Sequence, residues 1–358
     1  MSILGRGHKP CSQARSKGAC FAKKATPFAR VQLTTQTMNC IGLLTSGGDA
    51  PGMNACVRAV VRTAIGHNLQ VKAIMQGYEG VLKCYFQDLR ARDVGGIIQK
   101  GGTILQTARC QEFYTPEGQD RGLKNLHYAG IDGLVVIGGD GSMRGAMALH
   151  QRGFPVVGIP ATIDNDMWGT NIAIGVDTAL NTIVEAIDKL RDTASSHKRA
   201  FIVETMGRHC GYLALMSGVI GGAELIIIPE VETPIEEVPE SIAEAYARGK
   251  THAIVVVAEG AKYNAAQIAD YIARNTPELQ TRVTILGHVQ RGGRPSAFDR
   301  LLSARFGVQA VEALMGGATG EMVALTGREI AMVPLEDVTA HKREANMDYY
   351  RMAKMLAK

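Results

Sequence analysis

The chain has 358 residues, 46% of them hydrophobic and 20% charged, with 41 glycines and few aromatics, which excludes a disordered or fibrous protein and leaves room for two or three α/β domains. Residues 1–37 carry seven basic residues and no acid, so the formal +5 of the whole leaves the other 321 residues at −2, and a nucleic-acid-binding body is excluded. Seven scattered cysteines without a CxxC pair exclude a disulfide framework or zinc site and fit reduced thiols in the cytoplasm, while no run approaches the roughly 20 apolar residues of a membrane span.

In chain order, residues 1–37 predict a basic, disordered extension. Its Ser/Thr-rich, acid-free composition loosely resembles an organelle transit peptide but lacks a clean amphipathic stripe, and no apolar h-region marks a secretory signal. From Met38 short apolar runs alternate with helical stretches. Ile41–Leu44 reads as a strand and Asn54–Ile65 as a helix. Between them lies Thr45-Ser46-Gly47-Gly48-Asp49-Ala50-Pro51-Gly52-Met53-Asn54. Glycines in such a turn let backbone N–H groups crowd an anion, and the helix start adds partial positive charge. No Gly-Lys-Ser/Thr follows, so this is not a P-loop. An ordinary tight turn is the alternative.

Leu134–Ile137 is the next clear strand and ends in Gly138-Gly139-Asp140-Gly141-Ser142. Ligands in open α/β sheets bind at the carboxyl ends of strands. Mg²⁺ is usually held by one or two carboxylates plus substrate phosphates. Asp140 is thus a candidate metal ligand, with a helix cap as the alternative. Val156–Ile159 is a strand leading to Pro160-Ala161-Thr162-Ile163-Asp164-Asn165-Asp166. Unpaired carboxylates beside a buried strand are costly, so these two acids should meet a metal, a cation or a substrate hydroxyl. A carboxylate there can accept a hydroxyl proton during phosphoryl transfer. Solvated acids in an Asx-turn are the alternative.

A helix over Thr178–Ser195 follows, with Leu180, Ile183, Val184, Ile187 and Leu190 on one face. Phe201–Val203, Leu225–Ile228, Ala253–Ala258 and Val283–Leu286 then read as strands of a second α/β lobe. Continuous apolar strands between helices predict mostly parallel sheets covered on both faces. No repeat or low-complexity linker interrupts 38–358, so the lobes should be tightly joined around a cleft. Arg199, Arg208, Arg282, His288 and Arg291 lie near strand ends or Gly-containing turns, and arginine forks suit phosphate.

Five stretches in this order resemble the 6-phosphofructokinase family: Leu44–Asn54, Gly138–Ser142, Thr162–Asp166, Met206-Gly207-Arg208 and Gly287–Gly293. The likeness runs from Met38 to about Ile330. The Gly-Gly-Asp-Gly element alone is less specific, since NAD kinases and diacylglycerol kinases share it. The resemblance implies two Rossmann-like, three-layer lobes with the active site between them: 38–174 plus 291–338 for ATP, and 175–290 plus 339–358 for fructose 6-phosphate. It implies ATP and Mg²⁺ as cofactors and fructose 1,6-bisphosphate as product. By motif, Asp164 is the general base, Arg208 steadies the transferring phosphoryl group, Thr162 supports the sugar, and Asp140 and Asp166 serve the metal. Gly48, Arg109, Cys110, Gly139, Gly141 and Ser142 fall on ATP positions, with Tyr78 beside the adenine. Thr162, Ile163, Met206, Gly207, Glu259, His288 and Arg291 fall on sugar-phosphate positions. Arg199 and Arg282 do so from the neighbouring subunit of an implied homotetramer, a dimer of dimers.

Pyrophosphate-using relatives typically carry Asp where this chain has Gly141, and Lys where it has Ala161. An Asp at the first place would fill the room of the ATP α-phosphate. ATP is therefore the expected donor, although Ala161 replaces the Gly common in ATP users and Cys110 stands where an aromatic often flanks the nucleotide. Arg58, Arg62, Arg191, Glu224, Arg248, Lys250 and His252 match effector positions of bacterial members, implying a site for a nucleoside diphosphate or phosphoenolpyruvate. One expected Arg of that set is Ala91 here. Three alternatives remain at this stage: a pyrophosphate-dependent enzyme, a silent sugar-phosphate-binding subunit, and a Rossmann dehydrogenase. Against the last two, the Asp140, Asp164 and Arg208 set is intact, and no GxGxxG opens the first lobe.

Overall fold

The computed structural model describes residues 38–197 and 199–357; the expected basic extension lies outside them. The first elements are β1 (Cys40–Ser46), α1 (Met53–Gly66), β2 (Gln70–Ile74), α2 (Gly77–Lys83), β3 (Phe86–Asp88), α3 (Pro116–Tyr128), β4 (Gly133–Gly138), α4 (Asp140–His150) and β5 (Val156–Pro160). Then come α5 (Val176–His197), β6 (Ala200–Thr205), α6 (Tyr212–Ile220), β7 (Leu225–Ile227), α7 (Glu237–Ala247), β8 (Ala253–Ala258), α8 (Ala265–Asn275) and β9 (Thr281–Ile285). The chain closes with α9 (Ala297–Met315), β10 (Glu321–Thr326), β11 (Glu329–Pro334), α10 (Leu335–Ala340) and α11 (Met347–Leu356).

The strands form two sheets. The larger has the order β11-β10-β5-β4-β1-β2-β3 and is parallel except for its two edge strands. Every residue of β1, β4 and β5 is buried, as their unbroken apolar runs require of strands covered on both faces. From β1 the chain crosses to β2 on one side and later returns to β4 on the other. The switch point therefore lies between β1 and β4, where open α/β sheets hold their ligands. Register fixes what meets there. Ser46 lies beside Gly138, and Gly138 beside Pro160, so three Gly- or Asp-bearing turns leave the sheet side by side.

The smaller sheet, β7-β8-β6-β9, is wholly parallel. Its register sets Thr205 against Ala258 and Glu204 against Ile285, so the turns after β6, β8 and β9 also emerge together. One apolar core runs from α1 and α9 through Ile183 and Ile187 of α5 into Val203 and Leu213, which joins the lobes without a linker. Gly307 lets α9 lie directly on Ala59 and Val60 of α1. Other clusters cover the far face of each sheet. Each fully buried Leu or Ile in these layers contributes about 1.5–3 kcal/mol. No helix among the described residues is long and apolar enough to cross a membrane.

Candidate active site

The carboxyl ends of both sheets open into one cleft of about 880 Å³. Its first wall is the turn after β1. Gly48 leaves space that the guanidinium of Arg291 occupies, and Arg291 donates from Nη1 to the Asp49 carbonyl at 3.3 Å. A residue from beyond β9 is thereby laid over the first glycine turn.

The second wall is the start of α4. Asp140 opens the helix and pairs with Arg144 at 3.1 Å, both side chains remaining part-exposed to the cleft. The helix N-terminus favours a bound anion here. Among the described residues a side chain at Gly141 would meet only the Tyr114 hydroxyl, 3.5 Å from the Cβ position, so the space above it is open. The buried Ser142 Oγ has no partner among the described residues. Tyr78 is buried beneath this wall. Its ring stacks on Phe113 at 4.3 Å and its hydroxyl donates to the Ser142 carbonyl at 2.6 Å. It reaches the cleft as floor.

The third wall is the run after β5. Thr162 donates its N–H to the Ile174 carbonyl, and its hydroxyl accepts the Asp164 N–H at 3.2 Å. Asn165, buried and at φ 52°, turns the chain between the two acids. Its amide bonds the Asn171 carbonyl and the Ala173 N–H, closing the loop beneath Asp164 and Asp166. Each acid keeps one buried carboxylate oxygen without a partner among the described residues. Burial raises the Asp164 carboxyl, against the opposing pull of Arg291, Arg208 and His209. Asp166 is pushed up to about 6 by burial and by the nearby charge of Asp164. A buried, half-paired acid cluster of this kind marks a place for a cation or a reacting proton.

The second sheet supplies the opposite wall. Arg208 follows β6 and stands 3.6 Å from Glu259, which follows β8. His288 and Arg291 come from the 3-10 turn over Gly287–Arg291, after β9. The buried Gln290 holds that turn to the first: its oxygen accepts the Met206 N–H, and its amide donates to the Gly287 carbonyl.

Arg109 and Cys110 also line the cleft, as do Gly139, Thr162 and Met206. Two expected residues do not. Ile163 is fully buried, with its side chain in the core among Ala161 and Ile174. Gly207 is buried in the turn at φ 125°, close against the Cys210 carbonyl. Arg199 and Arg282 lie away from this cleft, at the amino ends of β6 and β9. The Arg199 side chain donates from Nε to the Gln280 amide oxygen at 3.4 Å. The motif reading missed Asn165, Gln290 and Tyr114 as contributors. An Asn between two acids in a turn was a signal for the left-handed conformation; the other two carry no local pattern.

Of the residues expected at an effector site, four gather at the β7–β8 edge. Glu224 is buried, pairs with Lys250 at 3.0 Å and accepts the Ile254 N–H. Ser195 links His252 to the Arg191 carbonyl, and Arg191 donates to the Gly221 carbonyl. Arg248 bonds Glu244 and the Ala357 carbonyl. Arg58 and Arg62 lie one turn apart on α1 of the other lobe.

Residues 40–314 match the Phosphofructokinase family profile. The chain belongs to the phosphofructokinase family. It is 50% identical over 320 residues to the ATP-dependent 6-phosphofructokinase of Bacillus pumilus, covering 89% of this chain and all of that one. The ATP-dependent 6-phosphofructokinase of Thermotoga neapolitana is 52% identical over 323 residues, again 89% of this chain and 100% of its own. Among solved structures, Pichia pastoris phosphofructokinase in the T-state superposes with a TM-score of 0.81 at 39% identity, covering 85% of this chain. The present chain spans about a third of that longer one, 35%. A pyrophosphate-dependent phosphofructokinase from Marinobacter aquaeolei has a TM-score of 0.79 at 22% identity over 87% of this chain and 86% of its own, a likeness of fold alone. The two-lobe phosphofructokinase fold expected from the motifs is the one observed.

Proposed function

We propose that this chain transfers the γ-phosphoryl group of ATP to the C1 hydroxyl of fructose 6-phosphate, as an ATP-dependent 6-phosphofructokinase. The observation that carries this is one cleft with acids on one wall, Asp140, Asp164 and Asp166, and Arg208, His288 and Arg291 facing them from the other sheet. Phosphoryl transfer needs little covalent help from protein; it needs positioning and charge stabilisation, and both are built here.

The first lobe takes the nucleotide at the β1 and β4 turns, and the second takes the sugar phosphate, in line with the division 38–174 plus 291–338 and 175–290 plus 339–358. Asp164 accepts the sugar hydroxyl proton. Its buried, unpartnered oxygen supports that role. Thr162 fixes the Asp164 backbone and reaches the sugar. Arg208 is oriented by Glu259 toward the transferring group. The donor set also fits Mg²⁺. Mg²⁺ is usually held by one or two carboxylates together with substrate phosphates. Asp140 and Asp166 would hold the ion, which would neutralise phosphate charge.

ATP as donor is supported by the open space over Gly141 and by the small, buried Ala161. A homotetramer is supported by Arg199 and Arg282, which lie away from their own cleft beside the exposed Val283 and Ile285 of edge strand β9. A neighbouring copy would offer its own pair to this cleft. The β7–β8 edge cluster supports regulation by a phosphorylated effector, and the free cysteines support the cytoplasm. The test is product identification by ³¹P NMR after incubation with fructose 6-phosphate, ATP and Mg²⁺. Fructose 1,6-bisphosphate is expected; an unchanged sugar phosphate refutes the reading.

A further inference from the structure

Asp299, on the first turn of α9, is fully buried and lines no part of the cleft. Yet its carboxylate accepts three hydrogen bonds. One oxygen accepts the Gly175 N–H at 2.9 Å. The other accepts the Thr178 N–H at 2.9 Å and the Thr178 hydroxyl. Asp299 thus caps α5 from another helix, neutralising an N-terminus whose N–H groups would otherwise be orphaned. Capping is mutual. Ser296, the N-cap of α9, donates its N–H to the Thr178 hydroxyl and its own hydroxyl to Asp177.

Three segments of the active site hang on this joint. The run after β5 is tied to it through Ile174, which pairs with Ala161 and accepts the Thr162 N–H one residue before Gly175. The turn after β1 is tied to it through Gly52, whose carbonyl accepts from Ser303, one turn beyond Asp299 on α9. Gly175 itself lies against Ala50 and Pro51 of that turn. The segment carrying His288 and Arg291 runs directly into Ser296. A buried carboxylate costs free energy unless its hydrogen bonds repay it, so its placement at this junction needs a reason.

We propose that Asp299 is a positioning residue for phosphoryl transfer: it locks the α5 and α9 N-termini together and thereby sets the Asp164 run against the β1 turn and Arg291. This rests on the functional reading above. The acceptor pattern is specific. An Asn in its place would present an NH₂ group to N–H donors and lose one side of the joint. Thr178 both donates to Asp299 and accepts from Ser296, so Val there removes both bonds at nearly equal volume, whereas Ser retains both.

The test uses the full chain with Asp299→Asn, Thr178→Val and Thr178→Ser, assayed at saturating MgATP and fructose 6-phosphate well below each variant's thermal midpoint. The expected result is a kcat at least tenfold lower for Asp299→Asn and Thr178→Val, KM values for both substrates within about threefold, and kcat within about twofold of the parent for Thr178→Ser. If Asp299→Asn does not fold, Thr178→Val against Thr178→Ser carries the test. Lower thermal midpoints with kcat within twofold of the parent in both disruptive variants would make the joint purely structural and overturn the proposal. No turnover by the parent chain with either ATP or pyrophosphate would overturn the functional reading, and with it this role.

Discussion

The absent side chain of Gly48 and the guanidinium of Arg291 occupy the same space. This couples the first glycine turn to the segment after β9 and puts a positive charge where it opposes the burial of Asp164. Gly48→Ala must displace Arg291, at a residue whose φ is not positive. It should fold normally and lower kcat/KM for fructose 6-phosphate about tenfold, since small misplacements in a phosphoryl-transfer site are costly. Gly47→Ala is the contrast. At φ 86° it strains the backbone by about 1–2 kcal/mol and should lower the thermal midpoint. Steady-state kinetics and thermal unfolding of the two variants check this; unchanged kinetics in Gly48→Ala would contradict it.

Asp164→Ser should reduce kcat by about 10²- to 10⁴-fold, the usual contribution of a general base, with a much smaller change in KM for fructose 6-phosphate. Near-parent turnover would remove Asp164 from that role. Arg199→Ala should instead act mainly on KM for the sugar phosphate. A pure kcat defect would contradict its placement at a neighbouring copy's cleft.

Asn165→Ala removes two loop-closing hydrogen bonds and leaves a non-Gly, non-Asn residue at φ 52°. The expected destabilisation is about 2–4 kcal/mol, from the lost bonds and the strained backbone together. Chemical denaturation measures it. A change under 1 kcal/mol would mean that the turn does not depend on this amide.

The Asp166 carboxyl, pushed up to about 6, gives a pH signature. An ordinary Asp titrates near 3.9 in the unfolded chain, so the folded protein binds this proton more tightly. Its favourable contribution is present below about pH 4 and is lost as pH rises through about 6. Metal-free parent protein should therefore lose thermal midpoint relative to Asp166→Asn between pH 4 and 7, and Mg²⁺ with ATP should restore part of it. A constant difference across that range would contradict the account.

Much of this was legible from residue order. The strands bearing site turns, β1, β4, β5, β6 and β8, are buried along most or all of their length and carry continuous apolar stretches, broken in β6 by the half-buried Glu204. β2 and β11 were not legible in the same way. Gln-Val-Lys-Ala-Ile alternates, and half-exposed β11 is an antiparallel edge, so neither gives a continuous run. Motif likeness singled out Asp164 and Arg208, which line the cleft, and also Ile163, whose side chain faces the core because it alternates with its polar neighbours. The Asp299 joint left no local trace, since Gly175 and Thr178 meet it across more than 120 residues of chain.

The central claim is ATP-dependent phosphorylation of fructose 6-phosphate, with room for the nucleotide over Gly141. Its most direct test is kcat/KM for the purified chain with MgATP and with Mg-pyrophosphate, following fructose 1,6-bisphosphate through aldolase-coupled detection. The account predicts turnover with ATP and little or none with pyrophosphate. Turnover with pyrophosphate and none with ATP would contradict it.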